Sequence, residues 1–283
     1  MNTTGIFTIH NRKIEVTELN KPIYLIPFGD LHRSSPMCHV QKWKEFLAWA
    51  GNKERALFLG MGDYDDLASA SERSILSNRQ LHDSSIQTIE DVYKGHTARL
   101  AKELEFMNGK LLGLIEGNHY GEFQNGTTTT QLLADKLGCK YLGANSFIRL
   151  TFLFGKKHAS IDIWAHHGKG AARLIGGSLN KVQQMGEIAN ADIFLMGHDH
   201  KKSIGTVNKL MLHGDNKLKL RHQKQLYART GSFLKGYEDG KKSYVVDMAL
   251  NPTDLGVVKI EITPKRKSSD NQDMFYLDLH ASI

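Results

Sequence analysis

Short apolar segments alternate along the chain with amphipathic ones, and this alternation predicts a mixed α/β fold. In the first half, three apolar runs have the length of buried strands: residues 23–28, 56–59 and 111–115. Between these runs, apolar residues recur at helical spacing over residues 40–50 and 86–107. A further helix is predicted from the Thr-rich stretch at 127–130 to Lys136, where Gly138 follows as a stop.

The apolar pattern of the second half predicts mainly strands. One hairpin is expected there, across Gly155-Lys156-Lys157, and another is expected near the N-terminus, across Asn11-Arg12. Further strands are expected at residues 193–196, 207–212, 226–228, 244–248, 257–262 and 274–279. A mixture of this kind favours a sheet with helices packed on it.

The chain is predicted to form a single domain. Neither an internal repeat nor a low-complexity linker divides it, and 283 residues suffice for one large domain or two small ones. We therefore expect one domain over residues 1–264, followed by a polar stretch and a terminal strand at 265–283. Residues 65–110 are a candidate helical insertion or lid, because the segment that follows Asp63 is long and polar.

Composition and charge are those of an ordinary globular protein, with 40% hydrophobic and 24% charged residues. No apolar run has the length of a bilayer, and the N-terminus shows no signal-peptide pattern. The two cysteines, Cys38 and Cys139, cannot form a disulfide framework, so we expect a cytoplasmic protein without membrane contact. A formal charge of +7 weakly favours phosphate-rich partners such as nucleic acid.

Side chains that bind metals cluster in five short motifs, each beside a glycine or at the end of a predicted strand. The motifs are Asp30-Leu31-His32, Gly62-Asp63, Gly117-Asn118-His119, His166-His167-Gly168 and Gly197-His198-Asp199-His200. Carboxylates, an amide and imidazoles suit Mn, Fe, Zn or Ni ions. Because ligands collect where the strands of an α/β sheet end, we expect these loops to converge on one site.

Spacing suggests how the side chains share ions. Asp30 and His32 stand two residues apart, so in an extended segment both would point the same way and reach one ion. His198 and His200 repeat this spacing. Asp63 follows a glycine that permits a sharp turn, and its two oxygens could bridge two cations.

The third motif adds an amide and an imidazole. Asn118 could bind a cation through its amide oxygen, whereas His119 is expected to diverge from it and to face the substrate. Two divalent cations roughly 3.5–4 Å apart can clamp a phosphate, and they lower the pKa of a bridging water to about 7. A nearby imidazole can then protonate the leaving oxygen.

The ordered series of motifs, including Gly62-Asp63-x-x-Asp66, resembles the calcineurin-like metallophosphoesterase superfamily and spans residues 29–200. The resemblance implies an α/β fold, a four-layer α-β-β-α sandwich of two mixed sheets, with a dinuclear metal site at the strand-end loops. It also implies hydrolysis of phosphate esters by a metal-bridging hydroxide. The basic charge slightly favours a phosphodiesterase or nuclease. The alternatives are a phosphomonoesterase (protein phosphatase or nucleotidase) and a non-catalytic scaffold on the same fold.

The resemblance also implies roles for individual residues. The cofactors would be two divalent ions, Mn, Fe, Zn or Ni. The implied ligands of the first ion are Asp30, His32, Asp63 and His200, and those of the second are Asp63, Asn118, His166 and His198. His119 resembles the proton donor of the family, and Asp66 resembles an acid that orients a ligand or the catalytic imidazole.

One departure from the family pattern concerns the partner of the proton donor. The residue after Asn-His is often acidic in the family, but here it is Tyr120. That substitution removes an acid that could pair with His119, and it is the feature that favours the scaffold alternative. Either Glu122 or Asp66 could take the place of the missing acid.

A second departure concerns the fourth motif, which contains two adjacent histidines. The family pattern makes His166 the ligand and leaves His167 to face the substrate or to support a ligand. A shift of one residue would reverse these roles. Arg33, next to His32, could bind a substrate phosphate or lie in solvent.

The last motif is followed by a strongly basic stretch. Residues 201–229 contain many lysines and arginines, including Arg229, against Asp215 as their only acid. A stretch of this kind is most often a solvated face. A nucleic-acid contact near the site is the alternative, because neutralising phosphates provides most of such affinity.

Overall fold

The computed structural model describes residues 6–78, 82–170, 172–213, 218–269 and 272–283, which form a mixed α/β fold. The described strands are β1 (Phe7–Glu15), β2 (Ile23–Phe28), β3 (Ala56–Gly60), β4 (Leu111–Ile115), β5 (Tyr141–Gly143), β6 (Asn145–Phe154), β7 (Lys157–His166), β8 (Ile193–Met196), β9 (Lys202–His213), β10 (Lys219–Ser232), β11 (Gly256–Val257), β12 (Lys259–Ser269) and β13 (Gln272–Ser282). The described helices are α1 (Val40–Gly51), α2 (Ala70–Asn78), α3 (Asp83–Leu104), α4 (Thr129–Lys136), α5 (Ile175–Gln183), α6 (Met185–Ile188) and α7 (Tyr244–Asp247), with one 3-10 turn at Glu105–Met107.

All strands in the described part of the chain join one large mixed sheet. Its order is β11-β10-β8-β7-β6-β1-β5-β4-β3-β2-β12-β13, and β9 pairs with β10. Strands β2, β3 and β4 are parallel neighbours, and so are β7, β8 and β10. Each parallel set therefore brings its carboxyl ends to a common edge, where the loops of the motifs begin.

Three apolar clusters fill the interior. The largest is made almost entirely of strand residues, such as Leu25 and Ile163, which are both fully buried. A second packs α1, α3 and α4 against β2, β3 and β4, with Trp43 at its centre. The third packs α5 and α6 against β7, β8 and β10. Helices therefore cover the strands in two separate clusters.

Strands from the two halves of the sheet order also contact each other. The ring of Phe154, at the end of β6, stacks on the ring of Phe275 in β13, with centroids 5.7 Å apart. The Lys157 Nζ donates to the main-chain oxygen of Asp273 at 2.8 Å. These contacts join strands that lie far apart in the order of the sheet, so the sheet folds back over its own core.

Most predicted elements are confirmed, but the N-terminal hairpin is wrong. Residues 7–15 form the single strand β1, which runs straight through Asn11-Arg12 and pairs in parallel with β6. The reason is long-range pairing, since every residue of β1 has a partner on β6, and the side chain of Arg12 is held by the Gly109 carbonyl at 2.9 Å.

The strand predicted at 244–248 is also wrong, because Tyr244–Asp247 forms the short helix α7. The Ser243 hydroxyl accepts a hydrogen bond from the Val246 amide at 3.3 Å and donates one to the Gly236 carbonyl at 2.6 Å. A serine in this position favours the start of a helix over an extended segment. The strand is predicted from apolar residues in 244–248, and an apolar pattern does not show that Ser243 caps a helix.

Residues 65–110 contain α2 and α3, and α3 agrees with the helical spacing over 86–107. Residues 265–269, expected as a polar stretch, continue β12. The division into one domain and a terminal segment stays a prediction. Residues 1–5, 214–217 and 270–271, on which parts of the N-terminal, basic-stretch and polar-tail predictions depend, lie outside the described residues. No described helix combines the length and the apolar character that crossing a membrane requires.

Candidate metal centre

The motif residues lie directly beyond strand ends. Asp30 follows β2, Asp63 follows β3 and Asn118 follows β4. His166 is the last residue of β7, and His198 comes shortly after β8. Because these strands end at a common edge of the sheet, residues that are distant in the sequence meet in space.

The backbone at this edge has an unusual conformation. Seven non-glycine residues in the described part of the chain have a positive φ, and five of them belong to the motifs: Asp30 (48°), His32 (44°), Asp63 (50°), His198 (73°) and His200 (60°). Side-chain-bearing residues seldom adopt this left-handed conformation, which costs about 1–3 kcal/mol each. The expectation that Asp30 and His32 lie in an extended segment is therefore wrong, although their side chains do converge.

The first group of converging side chains is Asp30, His32 and His200. Their ligand atoms all lie within 4.8 Å of one another, and all three residues are buried. The His200 Nε2 is 3.5 Å from Asp30 Oδ1. Both Asp30 Oδ1 and His32 Nε2 are buried without a hydrogen-bond partner among the described residues. A buried carboxylate oxygen without a partner is costly, and a cation would satisfy it.

The second group is Asp63, His167 and His198, whose ligand atoms also lie within 4.8 Å of one another. The Oδ1 of Asn118 joins them, 3.0 Å from His167 Nε2 and 2.8 Å from His198 Nδ1. Oxygen and nitrogen atoms from four side chains thus point at one small volume. Such a set of carboxylate, amide and imidazole ligands suits a divalent transition metal.

Asp63 lies between the two groups. Its Oδ2 is 3.2 Å from His167 Nε2 and 3.7 Å from His32 Nε2. Its Oδ1 accepts hydrogen bonds from the main-chain amides of Asn118 at 2.7 Å and His119 at 2.8 Å. One oxygen is therefore held by the backbone, and the other alone faces both groups. The expectation that both oxygens of Asp63 bridge is corrected by this arrangement.

Glycine permits this close approach. Gly62 has a φ of 98°, and a Cβ atom there would lie 2.6 Å from His167 Nδ1. A Cβ on Gly117 would overlap the Asp63 carboxylate. The glycines beside the motif residues are therefore required by the packing of the site as well as by the turn.

Of the two adjacent histidines, the structure brings His167 and not His166 to the other ligand atoms. The His167 Nδ1–H donates to the Met61 carbonyl at 2.8 Å, which directs its Nε2 to Asp63 and Asn118. His166 lies outside the converging groups, and its Nδ1 accepts from the Gly168 amide at 2.6 Å. The geometry is the reverse of the order that the family pattern implies.

His119 lies beside the first group and lines a cavity. Its Nδ1 is 2.8 Å from Asp66 Oδ1, and the same oxygen is 3.5 Å from His32 Nδ1. Asp66 therefore contacts both imidazoles, and these contacts hold the pKa of its carboxyl well below the usual value. Of the two acids considered as partners, Asp66 and not Glu122 makes the contact with His119.

The cavity has a volume of about 860 Å³, and His32 and His200 of the first group and Asp63 and His198 of the second line it. Apolar side chains also line it, at Leu234, Val245, Met248 and Leu250. Its basic side chains are Arg173, Lys201, Lys235 and Lys242.

Arg33 does not line this cavity. Its guanidinium forms a two-pronged contact with Glu103, with the shortest distance 2.9 Å, and only 15% of its side chain is exposed. Glu103 also accepts from the Trp43 indole at 2.7 Å. Arg33 therefore neither faces a substrate nor lies in solvent, and instead ties the first motif to α3.

A residue that the sequence pattern missed lies beneath the fifth motif. Arg229 is fully buried, and it donates to the carbonyls of Gly197 at 2.7 Å and Ser178 at 3.0 Å. Its Nε is 3.5 Å from the buried carboxylate of Asp199. The prediction of a solvated face is therefore wrong for Arg229. The apolar run Leu226-Tyr227-Ala228, directly before Arg229, indicates a buried strand and is the sequence feature that points to its burial.

Burial and charge shift the pKa values of the site in opposite directions. Burial raises the pKa of Asp30 to about 7. Burial alone would raise the pKa of Asp63 as well, but the charge and hydrogen bond of His167, together with the charges of His32 and His119, outweigh burial and hold that pKa well below the usual value. Burial would lower the pKa of His167, yet the carboxylate of Asp63 raises it to about 9. Burial lowers the pKa of His198 to about 4, and burial also holds the pKa of His200 well below its usual value.

Metal binding is expected to release a proton from His167. For the protein alone, a pKa of about 9 keeps this imidazole protonated at neutral pH, whereas a metal ligand must be neutral. Affinity for Mn²⁺ should therefore rise as the pH increases from 7 to 9 and level off above that. Calorimetry in buffers with different ionisation enthalpies measures the released proton. A binding heat that does not depend on the buffer would contradict this expectation.

Comparison with known proteins leaves the family open. No family model matches the chain, and no curated protein matches it. Among solved structures, the chain is similar to Vacuolar Protein Sorting 29 from Cryptosporidium parvum, with 13% identity and a TM-score of 0.33. The match covers 92% of this chain and 99% of that one. A likeness of this degree assigns neither a family nor an activity to the chain.

Proposed function

We propose that this chain is a dinuclear metal-dependent phosphoesterase. The observation that carries the proposal is the position of Asp63 Oδ2, which is 3.2 Å from His167 Nε2 and 3.7 Å from His32 Nε2. A carboxylate that bridges two cations needs an oxygen within reach of both sets of ligand atoms, and Asp63 Oδ2 occupies such a position. The set contains no thiolate, which distinguishes it from closed, cysteine-rich structural zinc sites.

The ligands of the proposed pair follow from the two groups. One cation would be held by Asp30, His32, Asp63 and His200, and the other by Asp63, Asn118, His167 and His198. In this assignment His167 takes the place that the family pattern gives to His166. When bound, two such cations polarise the phosphoryl group and act as Lewis acids; Mn, Fe, Zn and Ni all accept such ligands.

His119 is the proposed proton donor. Because its Nδ1 contacts Asp66 at 2.8 Å, its Nε2 is the nitrogen left to give a proton to the leaving oxygen. Asp66 orients this imidazole and also approaches His32 at 3.5 Å, so one carboxylate supports both the donor and a ligand.

The cavity favours a phosphodiester as the substrate. Its volume of about 860 Å³ is much larger than a phosphate group needs, so it has room for an organic group on each side. Four basic side chains line it, at Arg173, Lys201, Lys235 and Lys242, beside the acids Asp66, Glu72 and Asp199. The basic groups can contact the anionic oxygens of a phosphodiester chain such as a nucleic acid.

The four-layer sandwich and the single domain are part of the same proposal. Helices pack on the strands in two separate clusters, one with α1, α3 and α4 and one with α5 and α6. The largest cluster lies almost entirely between strands, and the contact between Phe154 and Phe275 joins β6 to β13. These observations support two facing layers of strands covered by helices on both sides.

The test is hydrolysis by chelator-treated protein to which Mn²⁺, Ni²⁺ or Zn²⁺ is returned. We expect metal-dependent cleavage of bis-p-nitrophenyl phosphate, a diester. Cleavage of p-nitrophenyl phosphate alone would replace the diesterase with a phosphomonoesterase. If two metals bind and neither ester is cleaved, the proposed diesterase activity is contradicted, and a scaffold on this fold or an enzyme selective for one natural ester takes its place.

A further inference from the structure

The helix α2 carries an arginine that reaches the loop of His119. The Arg73 Nη1 donates to the main-chain carbonyls of Asn118 at 3.0 Å and Tyr120 at 3.1 Å, which lie on either side of His119. The same nitrogen lies 2.5 Å from the Ala68 carbonyl, just before α2. One side chain thus joins the segment after the second motif to the third motif.

The ring of Tyr120 completes this contact. The guanidinium carbon of Arg73 lies 3.5 Å from the centre of the ring, and Tyr120 is buried with 5% of its surface exposed. A guanidinium stacked on an aromatic face is attracted to it, and the flat stack fixes the direction of the hydrogen bonds. Tyr120, which occupies a position where an acid could have paired with His119, therefore has a different function.

Asp66 contacts the Nδ1 of the His119 imidazole, but this contact does not fix the main chain from which the imidazole projects. The Asp63 Oδ1 accepts from the amides of Asn118 and His119, and the side chain of Asn118 contacts His167. These contacts anchor the beginning of the loop and the ligand atoms. The carbonyl after His119 is anchored by Arg73.

We infer that Arg73, stacked on Tyr120, is a positioning residue for His119, and this inference rests on the proposed function. Without Arg73, the peptide groups on either side of His119 lose their shared donor, whereas Asn118 keeps its side-chain contacts. The imidazole then loses its alignment with the leaving oxygen while the metal ligands stay in place. A misplacement of about 1 Å can cost roughly 100-fold in rate.

A positioning role and a purely structural role differ in what they do to different leaving groups. Misalignment of a proton donor slows the cleavage of esters whose leaving group needs a proton, and it spares those whose leaving group departs as a stable anion. A general loss of structure slows both equally. The comparison of two diesters therefore separates the two roles.

The test uses Arg73→Ala, Arg73→Lys and Tyr120→Leu, with Arg149→Ala as a matched control. Arg149 is an exposed arginine that makes a two-pronged contact with Asp162, at 2.6 and 2.7 Å. Each Mn²⁺-loaded variant is assayed with bis-p-nitrophenyl phosphate and with diphenyl phosphate, whose phenolate is the poorer leaving group. Metal content and Tm are measured for each protein.

For Arg73→Ala we expect kcat on diphenyl phosphate to fall about tenfold or more, and kcat on the nitrophenyl ester to stay within about twofold. Metal content should not change. Added methylguanidinium should restore part of the loss, whereas methylammonium should not. We expect a smaller loss of the same kind for Arg73→Lys and Tyr120→Leu, because each keeps one part of the contact. Equal losses on both esters, or none, would overturn the inference.

A second measurement does not depend on turnover. In protein with labelled histidines, the NMR signals of the His119 ring should shift in Arg73→Ala and stay unchanged in Arg149→Ala. If the wild type cleaves neither ester, the proposed function is wrong, and these signals still decide whether Arg73 positions His119. Unchanged signals in Arg73→Ala would overturn the inference even if the wild type is active.

Discussion

Replacing Asp63 by asparagine is expected to remove both metals and all measurable phosphoesterase activity. Its Oδ2 is the atom that both groups share, and its Oδ1 accepts from the amides of Asn118 and His119. The asparagine amide has only one oxygen, so it cannot both face the two ligand groups and accept hydrogen bonds from the two main-chain amides. If its NH₂ takes the shared position, it presents hydrogen atoms where a charged ligand is needed. If the NH₂ takes the other position, it faces two N–H donors, and each orphaned donor costs about 1–3 kcal/mol.

The measurement is the metal content of the dialysed Asp63→Asn protein together with its rate on bis-p-nitrophenyl phosphate. A suitable control is Asp91→Asn, because the side chain of Asp91 is 61% exposed on α3 and makes only surface contacts among the described residues. The control should keep two metals and full activity. An Asp63→Asn protein that still bound two metals per chain would show that Asp63 is not the shared ligand.

Replacing His119 by alanine is expected to leave both metals in place and to slow cleavage of poor leaving groups by about 100- to 10,000-fold. Its imidazole is not among the proposed ligands; its Nδ1 contacts Asp66, and its ring lies edge-on to His32 at 4.9 Å. The substitution removes the group that donates the proton and keeps all the proposed metal ligands. The effect should be much smaller for a nitrophenyl ester, because nitrophenolate leaves without protonation.

The comparison of diphenyl phosphate with bis-p-nitrophenyl phosphate measures this effect, and metal analysis accompanies it. His158→Ala is the control, because His158 is an exposed histidine at the start of β7. If His119→Ala cleaved diphenyl phosphate at the wild-type rate, His119 would not be the proton donor. Loss of a metal in this variant would instead make His119 a ligand.

Much of the fold could be predicted because buried strands carry a strong local signal. Residues 23–28 and 111–115 are continuous apolar runs, and the structure places strands at those positions. Caps and stops were equally clear for α4, where Thr128 forms a capping box with Gln131. Local patterns failed where pairing across the chain decided the outcome. The strand β1 is an example, since its partner begins at Asn145.

The sequence indicates which residues form the site better than it indicates how they are arranged. Glycine-flanked acids and histidines at strand ends indicated which loops would meet. No pattern could tell which of two adjacent histidines turns inward, because the answer depends on a bond from His167 to the Met61 carbonyl in another strand loop. Arg229 was missed for a related reason. Its charge suggested solvent, but the carbonyl of Gly197 and the carboxylate of Asp199 surround it.

The left-handed backbone at Asp30, His32, Asp63, His198 and His200 implies a conflict between durability and function in the evolution of this chain. Each of these positions would be relaxed by glycine, the residue that adopts this conformation without strain. Each such change would also delete a side chain of the proposed centre. Selection for a more robust protein therefore leads away from activity at these five positions. Variants that gain stability while keeping the function must obtain it elsewhere, in the helices and in the core between the strands.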